Sequence, residues 1–291
     1  MQIKCNQINF IYQPKTEFAK HALVDINTTF AEGKITCIVG NTGSGKSTLI
    51  QLFNAIERPS SGEIFVGNKW IIQKKNRIKD IKNLRQSVGQ VFQFAEYQLF
   101  EDTVKKDILF GLKSLGQKKT QEYYDGAANK YIKLVGLKTE FLDSSPFELS
   151  GGQKRRVAIA GILAMDPDVI IFDEPTAGLD PDGEIEIMKI IESLQKEHHK
   201  TIIFITHNMD HVLEHADNVI VMKNGEITAT GTPIEIFEDK SIIEKNDLLL
   251  PKVYEIIHDA RLVNELRKYK KEVRNIKDLA KFILWSRGNN E

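Results

Sequence analysis

Residues 40–47 read Gly40-Asn41-Thr42-Gly43-Ser44-Gly45-Lys46-Ser47, between an apolar, β-branched run from Lys34 to Val39 and a helix-like run from Lys46 to Ile56. This pattern predicts a buried strand, a glycine-rich loop and a helix, in that order. Glycines let such a loop turn its N–H groups around a phosphate, and the helix N-terminus adds a favourable dipole. The stretch fits a P-loop, in which Lys46 would reach the β- and γ-phosphates and the Ser47 hydroxyl would ligate Mg²⁺.

The composition limits what else the chain can be. Its 291 residues suit one large domain with an appendage, and 41% hydrophobic with 27% charged residues is typical of a globular protein. Lys plus Arg and Asp plus Glu are 40 each, so no overall positive field favours nucleic acid. Two cysteines cannot build a disulfide framework, and no apolar run is long enough for a membrane span. We expect a protein of the reducing cytosol that neither crosses a membrane nor is exported.

The order of the predicted elements indicates an α/β fold. Two short strands begin the chain, and after residue 157 helices alternate with the apolar strands Val169–Phe172, Thr201–Ile205 and Asn218–Met222. Such alternation favours a mainly parallel sheet covered by helices. We predict an antiparallel β subdomain, a helical subdomain at about residues 100–165, and a helical extension over residues 234–291 that follows a domain of residues 1–233.

Acidic residues follow one of these strands. Asp173 and Glu174 end the apolar run that starts at Val169, and parallel strands deliver their C-terminal residues to the crevice that also holds the P-loop. Asp173 can therefore approach a Mg²⁺ ion, while Glu174 can orient and deprotonate an attacking water. The alternative is that both acids are solvated turn residues or helix caps. The P-loop earlier in the chain makes this alternative the weaker one.

A histidine follows the next strand. His207 stands directly after the run Thr201–Ile205 and Thr206, before a helix-like segment, and the chain's six other histidines lack this placement. An imidazole there could hydrogen-bond the γ-phosphate or the attacking water. A bland surface histidine is the alternative.

Between these two halves stands the pentapeptide Leu149-Ser150-Gly151-Gly152-Gln153, at the start of a helix-like run. With the P-loop before it and Asp173-Glu174 after it, this stretch resembles the signature of the ABC-transporter ATPases. The resemblance covers residues 1 to roughly 233. It implies a P-loop NTPase fold, ATP and Mg²⁺ as ligands, and a signature (Ser150, Gly151, Gly152 and Gln153) that contacts ATP held by another subunit.

The resemblance also assigns further site residues. Tyr12 resembles the aromatic residue that stacks on adenine, with an ordinary strand aromatic as the alternative. Gln93, at the end of a predicted strand Ser87 to Gln93, resembles the glutamine that joins Mg²⁺ and water to a transmembrane partner. Asp180, in Gly178-Leu179-Asp180, resembles the loop between paired subunits, and His207 the switch histidine. The predicted catalytic residues are Glu174 and His207, and the metal ligands are Ser47, Asp173 and Gln93. The predicted ATP-binding residues are Tyr12, Gly40, Asn41, Thr42, Gly43, Ser44, Gly45, Lys46, Ser47, Thr48 and Gln93.

Two segments indicate which group within this family the chain resembles most. Gln93 to Val104 (QFAEYQLFEDTV) and Arg155 to Met165 (RRVAIAGILAM) are similar to the ATPases of energy-coupling factor importers, and Gln98-Leu99-Phe100 is similar to the second of their two ATPase subunits. Ala95 departs from the proline usual there, which puts the loop shape in question. The resemblance implies a homologous ATPase partner in a heterodimer, a transmembrane coupling protein and a substrate-binding membrane subunit, at the cytoplasmic face of the membrane. The C-terminal extension would help to hold the pair, with a simple solubilising appendage as the alternative.

Two other readings stay open. A soluble ABC ATPase acting on nucleic acid or ribosomes is one, although such relatives usually join two ATPase units or insert a long coiled coil, and this chain does neither. A nucleotide-dependent scaffold without turnover is the other, and Glu174 with His207 argues against it. The resemblance implies that the choice of cargo, a vitamin or a metal ion, belongs to the substrate-binding membrane subunit.

Overall fold

The computed structural model describes residues 1–75, 77–116, 119–269 and 271–288, and within them the chain forms ten strands. The strands are β1 (Ile3–Tyr12), β2 (Lys20–Phe30), β3 (Ile35–Val39), β4 (Ser61–Val66), β5 (Trp70–Ile72), β6 (Val88–Val91), β7 (Val169–Asp173), β8 (Thr201–Ile205), β9 (Asn218–Lys223) and β10 (Glu226–Gly231). The short strands β5 and β10 were not predicted, since both lie at sheet edges and have too few buried residues to produce a pattern.

Twelve α-helices occur in the same described ranges, with three 3₁₀ turns at Ala95–Gln98, Thr139–Asp143 and Pro146–Glu148. The helices are α1 (Lys46–Phe53), α2 (Ile81–Ser87), α3 (Val104–Ser114), α4 (Gln121–Leu134), α5 (Gly151–Leu163), α6 (Pro181–Lys196), α7 (Met209–His215), α8 (Pro233–Glu238), α9 (Lys240–Asn246), α10 (Lys252–Asp259), α11 (Val263–Lys268) and α12 (Ile276–Gly288). None of those described combines the length and apolar character that a membrane span needs.

The strands form two sheets. Six strands lie in the order β10-β9-β3-β8-β7-β6, all neighbours parallel except the antiparallel pair β9 and β10. The other sheet is antiparallel, in the order β2-β1-β4-β5. The predicted α/β class, with a mainly parallel core sheet and an antiparallel β subdomain, is confirmed.

The central sheet is buried on both faces. Along β7, Ile170 and Phe172 join one hydrophobic cluster, whereas Val169 and Ile171 join the other. Successive residues of a strand point to opposite faces, so a strand covered on both sides has to be apolar throughout. The same alternation holds in β3, β8 and β9, which explains why these strands read as unbroken apolar runs.

The helical subdomain and the C-terminal segment pack on one face of this sheet. Buried side chains of α3, α4 and α5 share a cluster with β3 and β7, and so do Phe237, Tyr254 and Phe282 of the C-terminal segment. The described part of that segment is helical, as predicted, and it contributes to the same core as the sheet. Its division from the rest at residue 233 stays a prediction.

Candidate nucleotide site

The loop after β3 needs glycine at two of its positions. Gly40 has φ 140°, and a Cβ atom there would lie 2.0 Å from the carbonyl oxygen of Met222. Gly45 has φ 102°, and its Cβ would lie 2.5 Å from the carbonyl oxygen of Ala22. Both backbone conformations and both close approaches exclude larger residues. The loop is thereby packed tightly against the two strands beside it.

Lys46 begins α1 and is almost fully buried, with an exposed fraction of 6%. Its Nζ donates hydrogen bonds to the carbonyl oxygens of Gly40 at 2.6 Å and Asn41 at 2.9 Å. Burial lowers the pKa of this amine, and the carboxylates of Glu174 and Asp173 oppose that shift. The loop therefore holds a cation at its centre, facing two acids.

The two acids stand at the end of β7. The Ser47 hydroxyl hydrogen-bonds Asp173, whose pKa is nevertheless raised by burial. Glu174 has a left-handed backbone with φ 51°, and its N–H donates to the carbonyl oxygen of Ile205 at 3.0 Å. Burial, and then the charge of Asp173, raises the pKa of Glu174 to about 7. A carboxyl group with this pKa exchanges a proton near neutral pH.

His207 completes the group from the end of β8. Its Nε2 lies 3.2 Å from Oε1 of Glu174, while about half of its side chain is exposed. Burial and then the charge of Lys46 lower the pKa of the imidazole, so the neutral ring is favoured. The strand register explains why His207 lies close to Glu174, because Asp173 pairs with Ile205 across the parallel strands β7 and β8. Residues just beyond both strand ends are therefore neighbours.

These side chains line one cavity of about 510 Å³. Tyr12 lies on its wall, and the Tyr12 hydroxyl is 3.0 Å from Oγ1 of Thr48. Gln93 also lines it from a turn, two residues beyond the end of β6, rather than from the strand end that we predicted. The predicted residues on the wall are Tyr12, Thr42, Gly43, Gly45, Lys46, Ser47, Thr48, Gln93, Asp173, Glu174 and His207.

Other predicted residues lie apart from this wall. The described lining residues do not include Gly40, Asn41 and Ser44 of the loop, although Gly40 and Asn41 contact Lys46 through their carbonyl oxygens. Ser44 is 4% exposed, and within the described chain its hydroxyl oxygen makes no hydrogen bond. Lys20, Ala22, Ala177 and Ile205 line the cavity without having been predicted, because no motif marks them.

The predicted signature is also absent from the described wall. Ser150 is the exposed N-cap of α5: its Oγ accepts the N–H of Gln153 at 3.3 Å, and Gln153 Oε1 accepts the N–H of Ser150 at 2.9 Å. Asp180 caps α6 in the same manner by accepting the N–H of Gly183 at 3.1 Å. Both segments are thus capped helix starts that lie outside the described lining of the chain's own cavity.

A phosphate-binding loop, two acids and a histidine at the carboxyl edge of a parallel sheet define a nucleotide-binding ATPase of the P-loop class. The chain belongs to the ABC transporter family, since the family model of that description matches residues 23–177. The resemblance to the ABC-transporter ATPases is thereby confirmed, and the protein is an ATPase that drives transport.

Relatives agree with this assignment. The chain is 48% identical to the energy-coupling factor transporter ATP-binding protein EcfA2 of Spiroplasma kunkelii, over 98% of this chain and 92% of that protein. The structure of cbiO1 from Clostridium perfringens, part of the ABC transporter complex cbiONQ, is similar with a TM-score of 0.74 and 42% identity, over 88% of this chain and 98% of that one. A dimeric, post-hydrolysis structure of the cassette MJ0796 with ADP and Pi has a TM-score of 0.70 and 28% identity, over 79% and 98%.

Proposed function

We propose that this chain is the ATP-hydrolysing subunit of an energy-coupling factor importer, which drives uptake of a vitamin or a metal ion through membrane partners. The observation that supports it best is the single cavity in which Lys46, Asp173, Glu174 and His207 meet. The similarity to EcfA2 proteins over nearly the whole chain supports the transporter type.

ATP is the ligand that suits this cavity. The P-loop N–H groups and Lys46 would bind the phosphates, at the N-terminus of α1. Tyr12 would stack on the adenine, and its contact with Thr48 fixes the ring to the helix that follows the phosphate loop. That contact would thereby connect recognition of the base with recognition of the phosphates.

Mg²⁺ fits the donor set beside the phosphates. The oxygens of Ser47, Asp173 and Gln93 would hold it, and oxygen ligands are those that Mg²⁺ prefers. The existing contact between the Ser47 hydroxyl and Asp173 already brings two of these donors together. When bound, the ion would neutralise charge that develops on the β- and γ-phosphate oxygens.

Hydrolysis is assigned to Glu174 and His207. Glu174 would accept a proton from the attacking water, and a pKa of about 7 leaves it ready to do so at neutral pH. His207, whose ring nitrogen lies 3.2 Å from that carboxylate, would contact the γ-phosphate or hold the water in line. Glu174 is the largely buried member of this pair, and a charge acts more strongly where water is excluded.

Pairing with a homologous ATPase would complete two sites. Ser150, Gly151, Gly152 and Gln153 would contact ATP held by the P-loop of the other subunit, and Asp180 would lie between the two. The dimeric form of MJ0796 supports a paired cassette. We assign the helical extension, residues 234–291, to holding this pair, with the ATP-binding domain ending at residue 233; residues 270 and 289–291 of the extension lie outside the described ranges.

A groove beside Gln93 suits the membrane partner. It has a volume of about 360 Å³ and is lined by Leu99, Phe100, Phe110 and Asp107. Phe100 and Phe110 are about half exposed, and Asp107 Oδ2 is buried with no hydrogen bond from the described residues. An amphipathic helix of a transmembrane coupling protein would fill it with apolar side chains, and a cation or donor of that helix would reach Asp107.

The remaining partners follow from the transporter type. A membrane subunit would bind the cargo, which leaves this chain at the cytoplasmic face of the membrane without a site for it. We expect no nucleic acid partner, because the chain has equal numbers of basic and acidic residues.

The first test is a tagged purification from native membranes in mild detergent, with identification of every co-purifying protein. We expect a second ABC ATPase and a transmembrane coupling protein. Ribosomes or nucleic acid without a membrane protein would overturn the transporter role and favour the soluble ATPase alternative.

The second test compares the ATPase activity of that complex with its Glu174→Gln form. We expect turnover to fall by about 100-fold or more, because the amide cannot accept the proton, while ATP still binds. Equal ATPase rates of the two forms would contradict the catalytic assignment of Glu174 but would not affect the co-purification result.

A further inference from the structure

Arg155 connects helix α5 with the turn after Gln93 and with the loop after Glu174. Its place just after the signature predicts only a helix residue. Arg155 lies on α5, two residues beyond Gln153, and its side chain is 3% exposed. Its Nε donates to Glu96 Oε2 at 2.9 Å, and Nη2 donates to Glu96 Oε1 at 2.7 Å. Glu96 belongs to the turn Ala95–Gln98 that follows Gln93.

The same guanidinium reaches the other side of the site. Its Nη1 donates to the carbonyl oxygens of Pro175 at 3.1 Å and Ala177 at 2.7 Å, in the loop that directly follows Glu174. A guanidinium is planar and rigid, so the carboxylate and the two carbonyls it bonds are held in a fixed relation. Four hydrogen bonds thus join the turn after Gln93 to the loop after Glu174.

The ring of Phe94 also lies between Arg155 and the loop after Glu174. The guanidinium lies 5.9 Å from the ring centroid of Phe94, and a Cβ atom at Gly178 would lie 3.8 Å from that ring. Phe94 thus stands between Arg155 and the far end of the loop that begins at Glu174. The opposite side of the turn faces outward, where the side chain of Tyr97 is 85% exposed.

We infer that Arg155 is a positioning residue, which transmits movement of the exposed turn Ala95–Gln98 to the loop that carries Glu174. This inference rests on the proposed catalytic role of Glu174. Arg155 is buried and hydrogen-bonds Glu96 on one side and the carbonyls of Pro175 and Ala177 on the other. Movement of either segment therefore displaces the other. A partner that contacts the turn would thereby change the placement of Glu174 without touching ATP.

The test uses the complex purified from membranes, with kcat, the KM for ATP and the thermal unfolding midpoint measured for each variant. We expect Arg155→Met to lower kcat by about ten-fold or more while KM stays within about two-fold, since displacing a catalytic group by about 1 Å has large effects. Arg155→Lys keeps the charge but not the fork, so kcat should also fall. Full rescue by lysine would show that charge alone matters and would overturn the inference.

Glu96→Gln tests one side of the connection. Because Arg155 would keep its bonds to Pro175 and Ala177, we expect a fall in kcat of about three-fold, and the double variant Glu96→Gln/Arg155→Met should be no slower than Arg155→Met. Additive effects would contradict a shared connection. Glu96→Gln also keeps the inference testable if Arg155→Met does not fold.

A matched control lies on the same helix. Arg156 Nη1 pairs with Glu186 Oε2 of α6 at 3.0 Å, so Glu186→Gln removes the acidic partner of the neighbouring arginine, at a more exposed position than Glu96. We expect unchanged kcat for Glu186→Gln, and a fall equal to that of Glu96→Gln would overturn the inference. Loss of activity in Glu174→Gln with full activity in Arg155→Met would refute this connection while leaving the proposed ATPase function intact.

Discussion

The two ends of the predicted ATP machinery differ in how complete they are within one chain. At the P-loop end, Lys46, Asp173 and Glu174 are largely buried, perturb one another's pKa and line a shared cavity. At the signature end, Ser150 and Gln153 satisfy each other in a capping box on an exposed helix start. The first end is assembled by the fold, whereas the second lies outside the described lining of the chain's cavity. This difference is the one that the proposed pairing of two ATPase subunits requires.

Removing the cation of the assembled end should have the largest effect. We expect Lys46→Ala to weaken ATP binding and to lower hydrolysis by about 100-fold or more, since Lys46 is the buried cation nearest the loop carbonyls. Equilibrium binding of a fluorescent ATP analogue and an ATPase assay measure this. Lys34→Ala, which removes a half-exposed lysine paired with Asp217, is the control and should leave both unchanged.

A change at the signature end should separate binding from turnover. We expect Ser150→Ala to leave the affinity of this chain for ATP unchanged but to lower turnover of the assembled complex by about ten-fold, because the hydroxyl would act on the other subunit's ATP. The loss of the helix cap would lower stability by about 1 kcal/mol. Binding assays on the separated chain and ATPase assays on the complex test this. Weakened binding by the separated chain would contradict the comparison.

The buried carboxyl group should make both rate and stability depend on pH. Because the folded pKa of Glu174 is about 7, ATPase activity should rise as the pH increases through that value. Its ordinary value is 4.5, so protonation of Glu174 stabilises the folded chain at low pH, and this contribution is lost as the pH rises from 4.5 to about 7.

The Glu174→Gln form tests the stability effect without any assay of activity. Its amide is neutral at every pH, so its melting temperature should exceed that of the parent at about pH 8 and approach it at about pH 5. Thermal unfolding at both pH values measures the difference. A constant difference would mean that Glu174 is not buried with a raised pKa.

The smallest change concerns the rim of the cavity. Tyr12→Phe keeps the ring and removes only the hydroxyl contact with Thr48, so we expect ATP affinity to fall by roughly five-fold or less. Tyr12→Ala also removes the stacking surface and should weaken binding further. Titration of both variants with ATP distinguishes them, and equal losses would assign the whole effect to the hydroxyl.

Much of the fold was predictable because it depends on local patterns. β8 has the predicted bounds, and the apolar runs of β3 and β7 differ by one residue at one end. Most residues of the cavity wall were predictable because glycines, a lysine and acids after strands have few other uses in that order. Gln93 was placed at a strand end, whereas β6 stops at Val91, since a four-residue edge strand does not fix its own boundary.

The sequence by itself determined the strand, loop and helix of the P-loop, the two acids at the end of β7 and the capping box of α5, because neighbouring residues decide each of these. Only the tertiary structure decided that Arg155 bonds Glu96, 59 positions away, and the carbonyls of Pro175 and Ala177. It also decided that burial raises the pKa of Glu174 to about 7. Hydrogen bonds across loops and the loss of water depend on which elements pack together, and no short stretch of sequence encodes that.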